Sequence, residues 1–201
     1  MLSKQQLREQ IMAARDRLST EQRADKSRAI RERLLALPQF QDADTVMMFS
    51  TYGSEVQTIP LIERALSVGK RVVLPKIEAE QRRLRPFVVR DLAADTEPGV
   101  WGIRQPLPER CDELPLAELE LIVTPGVGFD ERCNRLGHGK AYYDRFLLAA
   151  RTAQPDVRAV AVAFEVQVVP ELPTEPHDEK VDAIHTEARV ILPERVCLPT
   201  Q

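Results

Sequence analysis

Residues 121–147 read LIVTPGVGFDERCNRLGHGKAYYDRFL, and this run decides the fold. It opens on a strand-like apolar run, Leu121-Ile122-Val123. It then crosses a loop and ends in a helix-like run with apolar positions at Tyr143, Phe146, Leu147 and Ala150. The loop holds Gly126, Gly128, Gly137 and Gly139, half of the chain's 8 glycines. A flexible glycine loop between a strand and a helix N-terminus is a natural anion site. Glycine lets the backbone curl and aim its N–H groups, and the helix end adds positive potential. Arg135, His138 and Lys140 add cation-capable side chains to the same loop. Together these features fit a phosphorylated ligand, with ATP the first candidate.

Two well-known phosphate motifs are excluded by spacing. A P-loop needs Gly five residues before Gly139 and Ser or Thr after Lys140, but Asn134 and Ala141 stand there. The dinucleotide fingerprint G-x-G-x-x-G is also missing. On spacing alone a plain turn competes evenly with a phosphate site.

Working outward, Ser3 with Gln6 and Ser19 with Gln22 read as capping boxes. They predict a first helix to about Leu18, with an apolar stripe at Leu7, Ile11, Ala14 and Leu18, and a second to about Leu37, stopped by Pro38. Lys4 and Arg8, four apart, share a different face of the first helix. Thr45–Ser50 reads as a strand. Thr58 caps the next helix, with Pro60 in its first turn and Gly69 at its end. Strands follow at Arg71–Leu74 and Leu84–Val89, the latter at an edge because Pro86 interrupts it. Glu109–Glu118 is a polar connection. After the glycine loop and its helix come strands at Ala159–Phe164 and Ala188–Leu192. This alternation predicts an α/β fold: a mostly parallel sheet flanked by helices on both faces, with two N-terminal helices. The 201 residues fit a single domain, 1–201. Ligands bind beyond the carboxyl ends of such strands. The loops after Ser50, Thr124 and Phe164 would therefore bring together Glu55, the glycine loop and the stretch His177–Asp182.

A net charge of −3 argues against a nucleic-acid partner, and Arg82, Arg83 and Arg85 read as a solvated hairpin rim. Cys111, Cys133 and Cys197 form no C-x-x-C pair; an odd count without a signal peptide fits the reducing cytoplasm. No apolar run reaches membrane-span length. The expectation is a cytoplasmic monomer that does not bind membranes.

The whole segment resembles the signature of the 5-formyltetrahydrofolate cyclo-ligase family, in which P-G-x-x-F-D precedes N-R-L-G-x-G-x-G-Y-Y-D. Pro125-Gly126, Phe129-Asp130, Asn134-Arg135-Leu136-Gly137, Gly139 and Tyr142-Tyr143-Asp144 match. Further matches run nearly the full length: Lys4 and Arg8, Phe49-Ser50, Glu55, Gly69-Lys70, Leu74-Pro75, Trp101, Ile103, Gln105-Pro106, Leu172-Pro173, Glu175, His177-Asp178 and Val181-Asp182. The main departure is Ala141, where the family usually has Gly; His138 occupies a variable position. The resemblance implies a ligase of folate one-carbon metabolism. Its substrate would be 5-formyltetrahydrofolate, with or without a polyglutamate tail, and it would use ATP and Mg²⁺. It implies ATP contacts at Lys4, Arg8, Arg135, Gly137, His138, Gly139, Lys140, Ala141, Tyr142 and Tyr143, with Arg135 and Lys140 catalytic. It implies folate contacts at Ser50, Tyr52, Glu55, Trp101 and Tyr142, and Mg²⁺ on Asp144 and Asp182.

Several of these residues have a plainer reading; a lone Glu in a loop, such as Glu55, is usually solvent-exposed. Lys140 and Asp144 stand at i and i+4, a surface ion pair worth ~0.5 kcal/mol. Lys4 and Arg8 read as solvated helix charges. Arg135 could pair with Asp130 or Glu131, Asp182 could be a turn residue before the last strand, and Trp101 could serve the core. His177-Asp178 with His185 matches no zinc spacing and reads as structural hydrogen bonding. Cys133 beside His138 hints at a thiol nucleophile but lacks an orienting third group. Two other functions are compatible with an α/β scaffold of this kind. One is a sugar-phosphate isomerase. The other is a non-catalytic nucleotide or folate sensor, which the Ala141 departure keeps open.

Overall fold

The computed structural model describes residues 2–193; Cys197 lies outside them. Helix α1 spans Lys4–Asp16 and α2 spans Thr20–Leu35. Both predicted capping boxes are present: Ser3 and Ser19 Oγ accept from the Gln6 and Gln22 N–H groups, and each glutamine side chain accepts in return from the serine N–H. After α3 (Pro38–Asp42) come β1 (Thr45–Met47), α4 (Ile59–Ser67), β2 (Arg71–Glu78) and β3 (Arg83–Val89). Then follow α5 (Leu92–Asp95), β4 (Thr96–Pro98), β5 (Arg104–Pro106), β6 (Leu121–Thr124), β7 (Gly128–Asp130) and β8 (Arg135–Leu136). The C-terminal part holds α6 (Tyr142–Ala153), β9 (Arg158–Val162), β10 (Val168–Val169), β11 (Ala183–His185) and β12 (Val190–Ile191).

The main sheet has seven strands in the order β12-β11-β9-β6-β1-β2-β3. The five inner strands run parallel, and β12 and β3 pair antiparallel at the two edges. Pro86 sits on edge strand β3, where its missing N–H is tolerated. Successive strand residues point to opposite faces, and the apolar runs are buried on both. Val46, Val72, Leu121 and Val123 pack with Ile30 and Leu34 of α2 and Ile62 and Ala65 of α4. Met47, Val73, Ile122 and Ala159 pack with Phe146, Leu147 and Ala150 of α6. Leu147 is fully buried, and Leu147→Ala would cost roughly 2–5 kcal/mol. The mostly parallel, two-sided α/β architecture is therefore the one the alternation predicts.

Several local expectations need correction. Helices α1 and α2 end about two residues early. Thr58 does not cap α4 with its side chain; its hydroxyl donates instead to the Phe49 carbonyl at 2.6 Å. Strand β1 ends at Met47, and β2 runs past Leu74 to Glu78, paired along its length with β3. Strand β9 stops at Val162. Only Val190–Ile191 of the last predicted strand pairs, while Ala183–His185 forms an inner strand that the alternation does not predict. It is only three residues long, too short to show a period.

The glycine loop is not a loose coil. Strands β7 and β8 pair antiparallel within it, and β10 adds to β7. Buried Asp130 holds the turn between them. Its carboxylate accepts from the Arg132, Asn134 and Leu172 N–H groups and the Asn134 side-chain amide. Gly126 and Gly128 are packing glycines. A Cβ would fall 2.4 Å from the Phe129 ring at Gly126 and 2.5 Å from Ile11 Cδ1 at Gly128.

Candidate active site

The carboxyl ends of β1 and β6 face one cavity of about 360 Å³. On one side stands the turn after β1, with Ser50, Tyr52 and Glu55. On the other stands the segment between β8 and α6, with Arg135, His138, Lys140, Tyr142 and Asp144. Trp101 and Ile103 close a third side.

Glu55 is 7% exposed. Its Oε2 accepts from the Tyr52 N–H at 3.1 Å, and its Oε1 lies 3.6 Å from His138 Nε2. This leaves the carboxylate acceptor capacity at the cavity. Burial and the Glu55 charge push the Tyr143 phenol above its ordinary pKa, so it stays protonated. Ser50 Oγ and Arg135 Nε are both buried with no hydrogen-bond partner among the described residues, and both residues line the cavity. Buried polar atoms are normally satisfied, so these two mark where a polar ligand would complete the site.

Arg135 pairs with neither Asp130 nor Glu131. Its Nη2 donates to Asp144 Oδ1 at 2.6 Å, and its guanidinium lies 5.7 Å from the Tyr143 ring centroid. Asp144 is therefore Arg135's partner, not Lys140's. Lys140 lies before α6, is exposed, and has no ion pair among the described residues. Ala141 precedes the helix in the left-handed conformation, φ 52° and ψ 29°, and no side chain caps the first turn. The N–H groups there are available to an anion. Gly139 is also left-handed at φ 86°. At the position where the family usually has Gly, Ala141 thus carries backbone strain.

Helix α1 reaches this segment from behind. Arg8 Nε donates to the Gly137 carbonyl at 2.8 Å, and its guanidinium packs beside Gly139. Lys4 is neither solvated nor on the cavity wall; its Nζ lies 2.7 Å from Asp178 and 3.0 Å from Glu175. Glu175, His177 and Asp178 form a cluster of metal-capable groups, and Lys4 Nζ already occupies it, paired with both carboxylates.

Asp182 is not at the cavity. It sits where β9 and β11 begin, at the opposite end of the sheet from the strand termini that form the site. Its Oδ2 accepts from the Ala159 N–H at 2.7 Å and faces Arg151 at 3.4 Å. That carboxylate is committed to starting a strand and pairing with an arginine, so the structure does not join it to Asp144 as a metal pair. Trp101 is likewise not a core residue. It is 55% exposed at the cavity mouth, left-handed at φ 57°, with its ring edge-on to Tyr142 at 6.5 Å. Cys133 does not approach His138: it is fully buried against Phe129, Val181 and Ile191, and burial pushes its thiol up to about 11. A buried, protonated thiol is a poor nucleophile.

Ile77, Leu84 and Arg104 also line the cavity, and no sequence motif marks them as site residues. Ile77 comes from the extension of β2, Leu84 from the first residue of the predicted strand at Leu84–Val89, and Arg104 from β5, whose place beside β2 leaves no mark in local periodicity.

The sequence model of the 5-formyltetrahydrofolate cyclo-ligase family matches residues 1–187. A 5-formyltetrahydrofolate cyclo-ligase of Mus musculus is 31% identical over 191 residues, covering 90% of this chain and 92% of the relative. The enzyme of that name from Escherichia coli K12 is 31% identical over 180 residues, covering 90% and 98%. The NMR structure of Aquifex aeolicus 5,10-methenyltetrahydrofolate synthetase superposes with a TM-score of 0.84 at 30% identity, covering 100% of this chain and 97% of that one. The chain belongs to the 5-formyltetrahydrofolate cyclo-ligase family.

Proposed function

We propose that this protein cyclises 5-formyltetrahydrofolate to 5,10-methenyltetrahydrofolate at the expense of ATP, releasing ADP and phosphate. The observation that carries the proposal is the meeting of Glu55 and the Arg135–Asp144 segment in one cavity, with Ser50 Oγ and Arg135 Nε buried and unsatisfied there among the described residues. Membership of the family supports it.

The chemistry needs a leaving group, because an amide oxygen departs poorly. The formyl oxygen attacks the γ-phosphorus of ATP, and the bond to the ADP oxygen breaks. N10 then attacks the formyl carbon and loses its proton. The C–O bond breaks, and inorganic phosphate leaves with the oxygen. In phosphoryl transfer the protein mainly positions groups and neutralises charge. Glu55 would accept from the pterin amino group and ring N–H, fixing the formyl group in the cavity. Arg135, Lys140 and the first N–H groups of α6 would hold the phosphates. Arg8 supports that segment through Gly137, and Lys4 ties the N-terminus of α1 to Asp178. His138, Ala141, Tyr142 and Tyr143 would flank the nucleotide, with Tyr52, Trp101 and Tyr142 as faces for a ring to stack on.

The donor set fits Mg²⁺: Asp144 Oδ1 is taken by Arg135, but its Oδ2 has no partner among the described residues, and the side chain lines the cavity beside the phosphate-binding groups; this ion is usually held by one or two carboxylates with phosphates and waters. When bound it would neutralise phosphate charge, with Asp144 rather than Asp182 as the protein ligand.

The test mixes purified protein, 5-formyltetrahydrofolate and MgATP and follows methenyl absorbance and ADP together. Equal amounts of both, dependent on Mg²⁺, are expected. Binding of both ligands without ADP release would overturn the proposal in favour of a sensor.

A further inference from the structure

The apolar stripe of α1 contains a charged residue. Leu7 and Ile11 are buried as expected, but the next buried position is Arg15, only 4% exposed, and not Ala14. Burying a guanidinium strips its water and is costly unless it is well paired. Arg15 has no carboxylate partner within ion-pair distance among the described residues. Its Nε donates to Ser54 Oγ at 2.9 Å, and its Nη1 has no partner there at all. Ser54 Oγ in turn donates to Asp16 Oδ1. One hydroxyl is thus gripped from both sides by adjacent residues of α1. Each bond involves a charged group, the stronger class of hydrogen bond.

Ser54 immediately precedes Glu55. The turn it belongs to is closed locally by the Glu55 N–H donating to the Tyr52 carbonyl and the Tyr52 N–H donating to Glu55 Oε2, both at 3.1 Å. It bends through Gly53 at φ 57°. The base of the segment is held by Thr51 and Thr58, 3.0 Å apart, and by the Gln57 N–H on Ser27 Oγ. At the apex, the Ser54 hydroxyl is the side-chain tie to the N-terminal helix.

The geometry points to Arg15 as a positioning residue for the folate side of the cavity. Through Ser54 it fixes the Tyr52–Glu55 turn, so that the Glu55 carboxylate is already aimed where a pterin would meet it. This role rests on the assignment of Glu55 to the pterin. A turn released at Gly53 spends only part of its time competent, and apparent affinity falls by that fraction. The phosphate side is tied to α1 separately, by Arg8 on Gly137, and does not depend on Ser54.

The test uses Arg15→Met, which keeps an unbranched apolar stem and removes the guanidinium, and Ser54→Ala, which removes the hydroxyl. Dissociation constants for 5-formyltetrahydrofolate and for ATP are measured separately by calorimetry, with steady-state kinetics alongside. Each variant is expected to weaken folate binding roughly tenfold, the scale of one charge-assisted hydrogen bond. ATP affinity and kcat at saturating folate should stay within about twofold, and the double variant should be no worse than either single one. Equal weakening of both ligands, or additive losses in the double variant, would overturn the role. Glu55→Gln separates the two levels. If it binds folate normally, the pterin assignment fails, and the role of Arg15 with it. If it binds weakly while Ser54→Ala and Arg15→Met bind like wild type, only the Arg15 role fails. Should Arg15→Met not fold, Ser54→Ala alone decides.

Discussion

Replacing Ala141 by glycine should make the protein more stable, although glycine ordinarily weakens a helix. Ala141 stands just outside α6 at φ 52° and ψ 29°. In the left-handed region the Cβ of an L-residue crowds the following carbonyl, at roughly 1–2 kcal/mol per residue. Glycine removes that crowding but makes the unfolded chain more flexible, which returns about 0.4–1 kcal/mol. The net expectation for Ala141→Gly is a gain of about 0.5–1 kcal/mol. For a chain of this size that is roughly 1–4 °C in Tm. Urea denaturation with an unchanged m-value would measure the gain without a change in the unfolded ensemble's compactness. Ala141→Val is the opposing control, since a β-branched residue is still less at home at positive φ. The alternative gives the opposite sign. Were residue 141 a right-handed position inside the helix, glycine would lose about 1 kcal/mol. A destabilised Ala141→Gly would therefore refute the left-handed cap.

Four further outcomes are expected. Lys140→Ala should lower turnover by about 10²-fold or more, as loss of a charge-stabilising donor does, with the fold intact because Lys140 is exposed before α6; unchanged kinetics would remove it from the phosphate site. Asp144→Asn should lower turnover and raise the Mg²⁺ concentration for half-maximal rate, and it should lower stability because it withdraws the charge facing buried Arg135; a Mg²⁺ titration matching wild type would remove Asp144 as a metal ligand. Cys133→Ser should stay active where it folds, and the native thiol should resist alkylation at pH 8, since burial raises it to about 11; inactivation of a well-folded variant would revive a thiol nucleophile. Finally, His185 is fully buried, and burial, then the charge of Arg33, lowers it from 6.5 to about 4. The unfolded chain therefore takes up a proton that the folded one refuses. Its contribution is complete above pH 6.5 and falls away as pH drops toward 4, by about 2 kcal/mol at pH 5. Unfolding curves for His185→Leu should be flatter between pH 7 and 5, and equal slopes would refute this.

Much of this protein was legible in residue order because the relevant signals are local. The serine capping boxes, the strand Leu121–Thr124, the helix face Phe146, Leu147 and Ala150, and the edge assignment of Pro86 depend on neighbours within a few positions. The parallel alternation then placed the loops after β1 and β6 at one end of the sheet, and Glu55 and Arg135 share a cavity there. What residue order could not decide is which distant group each polar side chain meets. Asp182 lies close after Asp178 in the chain, yet β11 carries it to the amino end of the sheet, onto Ala159 and Arg151. Asp144 is four residues from Lys140 but takes Arg135, because the left-handed turn at Ala141 separates Lys140 from the helix. Arg15 sits on an apparently apolar stripe and is buried because Ser54, far along the chain, receives it. Helical and strand periods are properties of the backbone and recur every few residues. Ion pairs and hydrogen bonds depend on the three-dimensional path that brings their partners together, and only the tertiary structure contains that path.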